Sequence, residues 1–89
     1  MTKRRHETVF PGFADMAKRR RELAASLASR RLALGLSQTE VAARMGTSQS
    51  AVARLESGEV DTRLSTLERY AVALGADLDI RLHATGEER

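Results

Sequence analysis

Ser48, Gln49, Ser50 and Arg54 form a compact set of hydrogen-bonding side chains with one charge among them. Serine hydroxyls donate and accept, a glutamine amide sets a donor beside an acceptor, and the arginine guanidinium is a planar fork of donors. On one helix these groups match base edges in a DNA major groove. Glutamine can bond adenine N6 and N7 as a pair, serine serves either role, and arginine takes guanine O6 and N7 or a phosphate. The chemistry these residues suggest is recognition rather than turnover. Gln49 is the first candidate for base reading, followed by Ser50, with Arg54 one helical turn on. Ser48 and Thr47 stand at the start of this helix, within reach of a phosphate or a base. Gln38 stands where it could hold a phosphate or brace a second glutamine, and Arg63 is placed to clamp a phosphate.

The surrounding residues predict the elements that carry these groups. Leu36 precedes Ser37-x-x-Glu40, a capping box that starts a helix. Val41, Ala42 and Met45 give that helix an apolar stripe, small at its centre, where two helices can cross closely. Gly46 supplies the residue past its end, where a positive φ costs little, and Thr47 is placed to cap the next helix. Val52 and Leu55 turn inward on this second helix, and Gly58 ends it. Two capped helices around a glycine also describe an ordinary helical hairpin. The short, polar, nearly uncharged outer face argues against that, because solvated helices usually carry Glu and Lys there.

Asp15 is placed to cap a longer helix running to about Leu34, with Met16, Leu23, Leu27 and Leu34 recurring at helical spacing and Ala24 and Ala28 on the same face. Ser65-x-x-Glu68 forms a second capping box, predicting a helix to Leu74 that buries Leu67, Tyr70, Ala71 and Leu74. The period then changes from 3.6 to 2. Leu78, Ile80 and Leu82 alternate with Asp77, Asp79, Arg81 and His83, which predicts one strand. A lone strand leaves its backbone groups unpaired. Thr8–Phe10 is a short candidate partner; the same strand from a second copy, across a two-fold axis, is the other.

Eighty-nine residues bound the chain to one small domain that gains from oligomerisation. With no cysteine there is no disulfide and no thiolate metal site. His6 and His83 are far apart, and no metal or cofactor motif is read. A Gly-rich phosphate loop and a His–carboxylate grouping are both missing, so the reading is not an enzyme. No apolar run approaches the roughly 18 residues of a membrane span, and the N-terminus lacks the apolar stretch of a signal peptide, which predicts a cytoplasmic, nucleoid-associated protein. Residues 1–31 hold nine Lys/Arg against three acids, and residues 32–89 six against nine. Lys3, Arg4 and Arg5 are equally readable as a solvated arm or as phosphate contacts; the Lys18–Arg21 cluster fits a solvated face better.

At Arg31, Gly35-Leu36-Ser37-Gln38, Val41-Ala42, Gly46, Ser48-Gln49-Ser50, Val52, Leu55-Glu56 and Gly58 the chain resembles the Xre-type phage-repressor helix-turn-helix family. The resemblance covers roughly residues 27–75. It implies a mainly α, lambda-repressor-like bundle of four helices, with a partly buried Arg31–Glu56 ion pair tying the first helix to the reading helix. It also implies that Gln38 contacts phosphate and braces a glutamine. Two departures stand out: Glu59 and Asp61 bring negative charge to a loop that is often basic, and the C-terminal strand replaces a fifth helix. That strand is similar to the one in HigA- and HipB-type antitoxins, and in HipB-type proteins such a strand pairs between subunits.

The resulting layout is a basic arm at 1–12, a helix-turn-helix domain at 13–75, a dimerisation strand at 76–84 carrying Leu78, Ile80 and Leu82, and a flexible tail at 85–89. The expected function is a homodimeric, sequence-specific transcriptional regulator, a repressor binding a double-stranded DNA operator, with a cognate toxin as a further partner if the chain is an antitoxin. A stand-alone regulator without a toxin, and a protein-interaction module that has lost DNA binding, are the alternatives.

Overall fold

The computed structural model describes residues 12–84, which form four helices: α1 (Phe13–Ala33), α2 (Gln38–Met45), α3 (Gln49–Ser57) and α4 (Leu64–Ala73). The arm assigned to 1–12, apart from Gly12, and the tail at 85–89 lie outside the described residues, as does Thr8–Phe10.

Local chemistry sets most of the boundaries. Ser37 Oγ accepts from Glu40 N at 3.0 Å, and Glu40 Oε1 accepts from Ser37 N at 2.7 Å, so the capping box of α2 is closed on both sides. Gly46 has φ 73°, and behind it Thr47 N bonds Ala42 O at 2.9 Å and Gly46 N bonds Ala43 O at 3.2 Å. These paired bonds are the Schellman closure, which satisfies carbonyls the ending helix would leave open.

That closure also corrects the expected cap of α3. Thr47 is consumed in ending α2, and Ser48 becomes the N-cap, its extended backbone letting Oγ accept from Ala51 N at 3.1 Å. The ends of the other helices differ from expectation as well. Helix α1 begins at Phe13 with Gly12 as its N-cap, so Asp15 sits in its first turn rather than capping it, where its charge still favours the helix dipole. Helix α4 starts at Leu64 with Arg63 as its N-cap and no side-chain capping bond, so Ser65 and Glu68 form no capping box.

The core is Leu27, Val41, Ala42, Met45, Val52, Leu55, Tyr70 and Leu74, with Leu23, Leu36, Leu67 and Ala73 packed against it. Helix α3 packs on α1 and α2, and α4 packs on α2. Ala42 is buried, and its small side chain suits this close packing. Of the α1 stripe only the centre is core: Ala24 and Leu27 are buried, while Met16 and Leu34 are 55% and 47% exposed. With 21 residues α1 is about 30 Å long and overhangs the much shorter helices packed on it.

Side-chain bonds to backbone carbonyls help fasten the bundle. Arg44 on α2 donates to Ala73 O at 2.9 Å, capping the end of α4, and Arg20 on α1 donates to Gly58 O at 3.2 Å.

Beyond α4, residues 76–84 have no regular secondary structure, and no strand occurs among the described residues. The strand read at 77–83 is therefore not formed within the single chain. A strand exists only with a partner backbone to bond. Leu78 is half-buried, whereas Ile80 is 61% and Leu82 99% exposed. No helix among the described residues is long and apolar enough to cross a membrane.

Candidate nucleic-acid interface

The candidate site is built around the first turn of α3. Ser48 at its cap, Gln49 at its first position and Ser50 at its second are all exposed, and Arg54 is exposed one turn later. The N-terminus of α2 lies beside that of α3. As a result Gln49 Nε2 donates to Gln38 Oε1 at 2.6 Å, joining two residues eleven positions apart in sequence. Ser48 and Ser50 share a hydrogen bond between their hydroxyls at 3.2 Å, so both Oγ atoms face the same side. Arg54 makes no side-chain hydrogen bond among the described residues, leaving its guanidinium available to a ligand.

Beneath this surface lies a buried polar network. Gln38 Nε2 donates to Glu56 Oε1 at 2.9 Å. Arg31 grips the same carboxylate twice, Nε to Oε2 at 2.7 Å and Nη2 to Oε1 at 3.1 Å, and its Nη1 donates to Leu36 O at 2.7 Å. Arg31 is only 8% exposed, and no buried side-chain polar atom of the described residues lacks a partner. Tyr70, fully buried on α4, donates its hydroxyl to Glu56 Oε2. Each of the four helices thus supplies one member: Arg31 from α1, Gln38 from α2, Glu56 from α3 and Tyr70 from α4.

The electrostatics follow from these contacts. Burial alone would push the Glu56 carboxyl up, but the donors Arg31, Tyr70 and Gln38 outweigh it and hold it below the usual carboxylate range. Arg31 is pushed up, chiefly by its hydrogen bonds to Glu56. Tyr70 is pushed far above its ordinary value, first by burial and then by the adjacent carboxylate, so it remains a neutral donor. At α2, backbone and side-chain bonds from Ser37 lower the carboxyl of Glu40.

Thr47 is exposed in the turn, with its N–H spent on Ala42, and Arg63 is exposed as the cap of α4. Within the Lys18–Arg21 cluster, Arg20 is tied to Gly58 O, whereas Lys18, Arg19 and Arg21 are exposed. Sequence reasoning missed Tyr70 as a partner of Glu56. A usable signal was present: a tyrosine on a buried helix face needs a partner for its hydroxyl. It also missed the Arg20–Gly58 bond, for which the sequence holds no signal.

A family model described as Helix-turn-helix matches residues 27–80. The chain belongs to the helix-turn-helix family. The matched span contains α2, the Gly46 turn and α3, and all four members of the buried network. The helix-turn-helix chain is 44% identical over 73 residues to antitoxin HigA1 of Mycobacterium tuberculosis, in strain CDC 1551 / Oshkosh and in strain H37Rv, covering 82% of this chain and 49% of that protein. It is 52% identical over 60 residues to a protein named “Putative antitoxin HigA3” of Mycobacterium tuberculosis strain H37Rv, covering 65% of this chain and 55% of that protein. The chain spans about half the length of these curated relatives. No solved structure matches it.

Proposed function

We propose that this chain is a homodimeric, sequence-specific DNA-binding regulator that represses transcription by occupying an operator, and that it is the antitoxin of a toxin–antitoxin pair. The observation that carries the DNA reading is the Gln38–Gln49 clasp. It holds an exposed amide at the start of a helix whose outer face is polar and nearly uncharged. In this reading Gln49, Ser50 and Arg54 meet base edges, and Gln38, Thr47, Ser48 and Arg63 meet the sugar–phosphate backbone or position the readers. Arg31 and Glu56 set the angle of the reading helix. The basic residues Lys3, Arg4 and Arg5 add phosphate contacts.

The dimer forms through residues 76–84. Leu78, Ile80 and Leu82 alternate with polar residues, so they would share one face if the segment is extended, and pairing with the same segment of a second copy would satisfy its backbone. The antitoxin role is supported by the likeness to the HigA proteins; its partner is a cognate toxin, and its compartment is the cytoplasm. One observation favours a second reading, a protein-interaction module: the exposed Glu59 and Asp61 place negative charge beside Arg63.

Footprinting on the DNA upstream of the chain's own gene, repeated over a range of salt concentrations, decides between these readings. A protected site whose affinity falls with salt is expected. Absence of any protected site, together with capture of a protein partner, overturns DNA recognition in favour of the interaction module.

A further inference from the structure

The Glu56 carboxylate accepts four hydrogen bonds: two from Arg31, one from Gln38 and one from Tyr70. An ionised carboxylate only accepts. Gln38 must therefore turn its NH2 toward Glu56, which leaves its Oε1 outward. That oxygen also only accepts, so Gln49 must turn its own NH2 toward Gln38. A side-chain amide on its own has no such preference, because its terminal torsion is broad and nearly two-fold. The direction of the Gln49 amide at the surface is thus set by a charge buried two side chains below it.

We propose that Tyr70 is a positioning residue for base reading: its hydroxyl locks the Glu56 carboxylate, and through Gln38 this fixes which way the Gln49 amide faces the DNA. The inference rests on the DNA reading proposed above. Tyr70 is fully buried and has a single proton to give. Its other oxygen neighbour, Leu27 O, is 3.5 Å away, too long for a good hydrogen bond. The proton therefore goes to Glu56 Oε2, the oxygen that Gln38 does not use. With Oε2 held by Tyr70 and Arg31, Oε1 is presented to Gln38, and both carboxylate oxygens are held by donors. Remove the hydroxyl, and Oε2 keeps only Arg31, so the carboxylate can tilt about the Arg31 fork and loosen its bond to Gln38.

The consequence is one of discrimination. With one N–H committed to Gln38, the outward edge of Gln49 offers one acceptor, Oε1, and one remaining N–H. Adenine presents a donor at N6 and an acceptor at N7, which this pair complements. Guanine presents two acceptors, O6 and N7, and Gln49 has no second donor to spare. A Gln49 released from the relay can rotate and offer both hydrogens, so the lock serves to reject guanine.

The test uses the full chain and compares wild type with Tyr70→Phe. In the free protein, the side-chain amide 15N–1H signals of Gln38 and Gln49 are expected at shifted positions, with one hydrogen of each slow to exchange. In Tyr70→Phe they should move to ordinary glutamine positions while the backbone spectrum and helical circular dichroism persist. On operator DNA, preference for adenine over guanine at the base facing Gln49 should fall at least about fivefold, with affinity for scrambled DNA unchanged. Should Tyr70→Phe lose its helical signal, Glu56→Gln takes its place: it keeps the size, adds a donor where only acceptors stood, and should release the same two amides. Unchanged amide signals in the folded variant overturn the proposal, and so do released amides with unchanged discrimination. If wild type binds no DNA, the proposed function fails, and the amide spectra still decide whether Tyr70 sets the polarity.

Discussion

Nε2 of Gln49 stands 2.6 Å from Oε1 of Gln38, so the first residue of α3 is held by the first residue of α2. A glutamine on a helix surface ordinarily samples many rotamers, and fixing it at a ligand costs entropy. Here much of that ordering is already done before a ligand arrives. Gln49→Ala should therefore weaken binding to the specific site by about 1–3 kcal/mol and leave scrambled DNA nearly unaffected. Fluorescence anisotropy on both duplexes at one salt concentration checks this. An equal loss on both would make Gln49 a backbone contact.

The Arg31–Glu56 pair predicts a pH dependence. The folded carboxyl of Glu56 lies below its ordinary value, which for an unfolded chain is about 4.3. A depressed carboxyl contributes stability that is fully present above the unfolded value and is lost as pH falls through the folded one. Wild type should thus lose Tm steeply once pH drops below about 4. Glu56→Gln should be less stable near neutrality and show a flatter acid limb. Arg31→Ala leaves a buried carboxylate without its cation and should cost about 3–5 kcal/mol. Thermal melts across a pH series measure all three.

Much of the bundle was legible because its signals are local. Ser37 with Glu40, Gly46 and Gly58 each act within a few residues, and they place α2, the turn and the end of α3 where the sequence pattern put them. The misplaced starts have local causes too: Ser48 rather than Thr47 caps α3 because the Schellman closure takes one residue more than a bare glycine turn. Less legible were contacts between residues distant in sequence. No periodicity announces that Tyr70 meets Glu56, or that Arg20 reaches Gly58 O. The α1 stripe misled for a related reason, because periodicity marks a face but not how far along a long helix its neighbours extend.

The cap assignment makes a direct contrast. Ser48 Oγ satisfies Ala51 N, while Thr47 contributes only its backbone to the turn. Ser48→Ala should cost about 1 kcal/mol of stability, within the range of lost N-caps. Thr47→Ala should cost clearly less. Urea denaturation of the two variants separates them; equal losses would return the cap to Thr47.

Gly58 carries two constraints at once. Its φ is 70°, and a Cβ there would stand 2.8 Å from Arg21 Cα on α1, a backbone atom that cannot rotate aside. Gly75 shares the positive φ, at 72°, but has nothing within 4 Å. Left-handed backbone alone costs a non-glycine residue about 1–2 kcal/mol. Gly75→Ala should lose about that much, and Gly58→Ala more, because α3 must also draw away from α1. Equal denaturation midpoints for the two variants would mean that the helices separate without penalty.

The C-terminal segment gives the most exposed prediction. Ile80 is 61% exposed and Leu82 99%, on a stretch that forms no strand in the single chain. If two copies pair there, these side chains become covered, the backbone gains a ladder, and the two α3 helices are set apart by a fixed distance. For both to read one face of a duplex, that distance must be about 34 Å. Ile80→Asp places a charge where the copies would meet; Ile80→Pro removes a ladder donor and cannot sit in a central pairing. Both should shift the protein toward monomer in sedimentation and abolish tight operator binding, with helical circular dichroism largely retained because residue 80 lies outside the buried core. A dimer that survives Ile80→Asp at micromolar concentration would place the two-fold contact elsewhere, leaving the spacing of the reading helices to another surface.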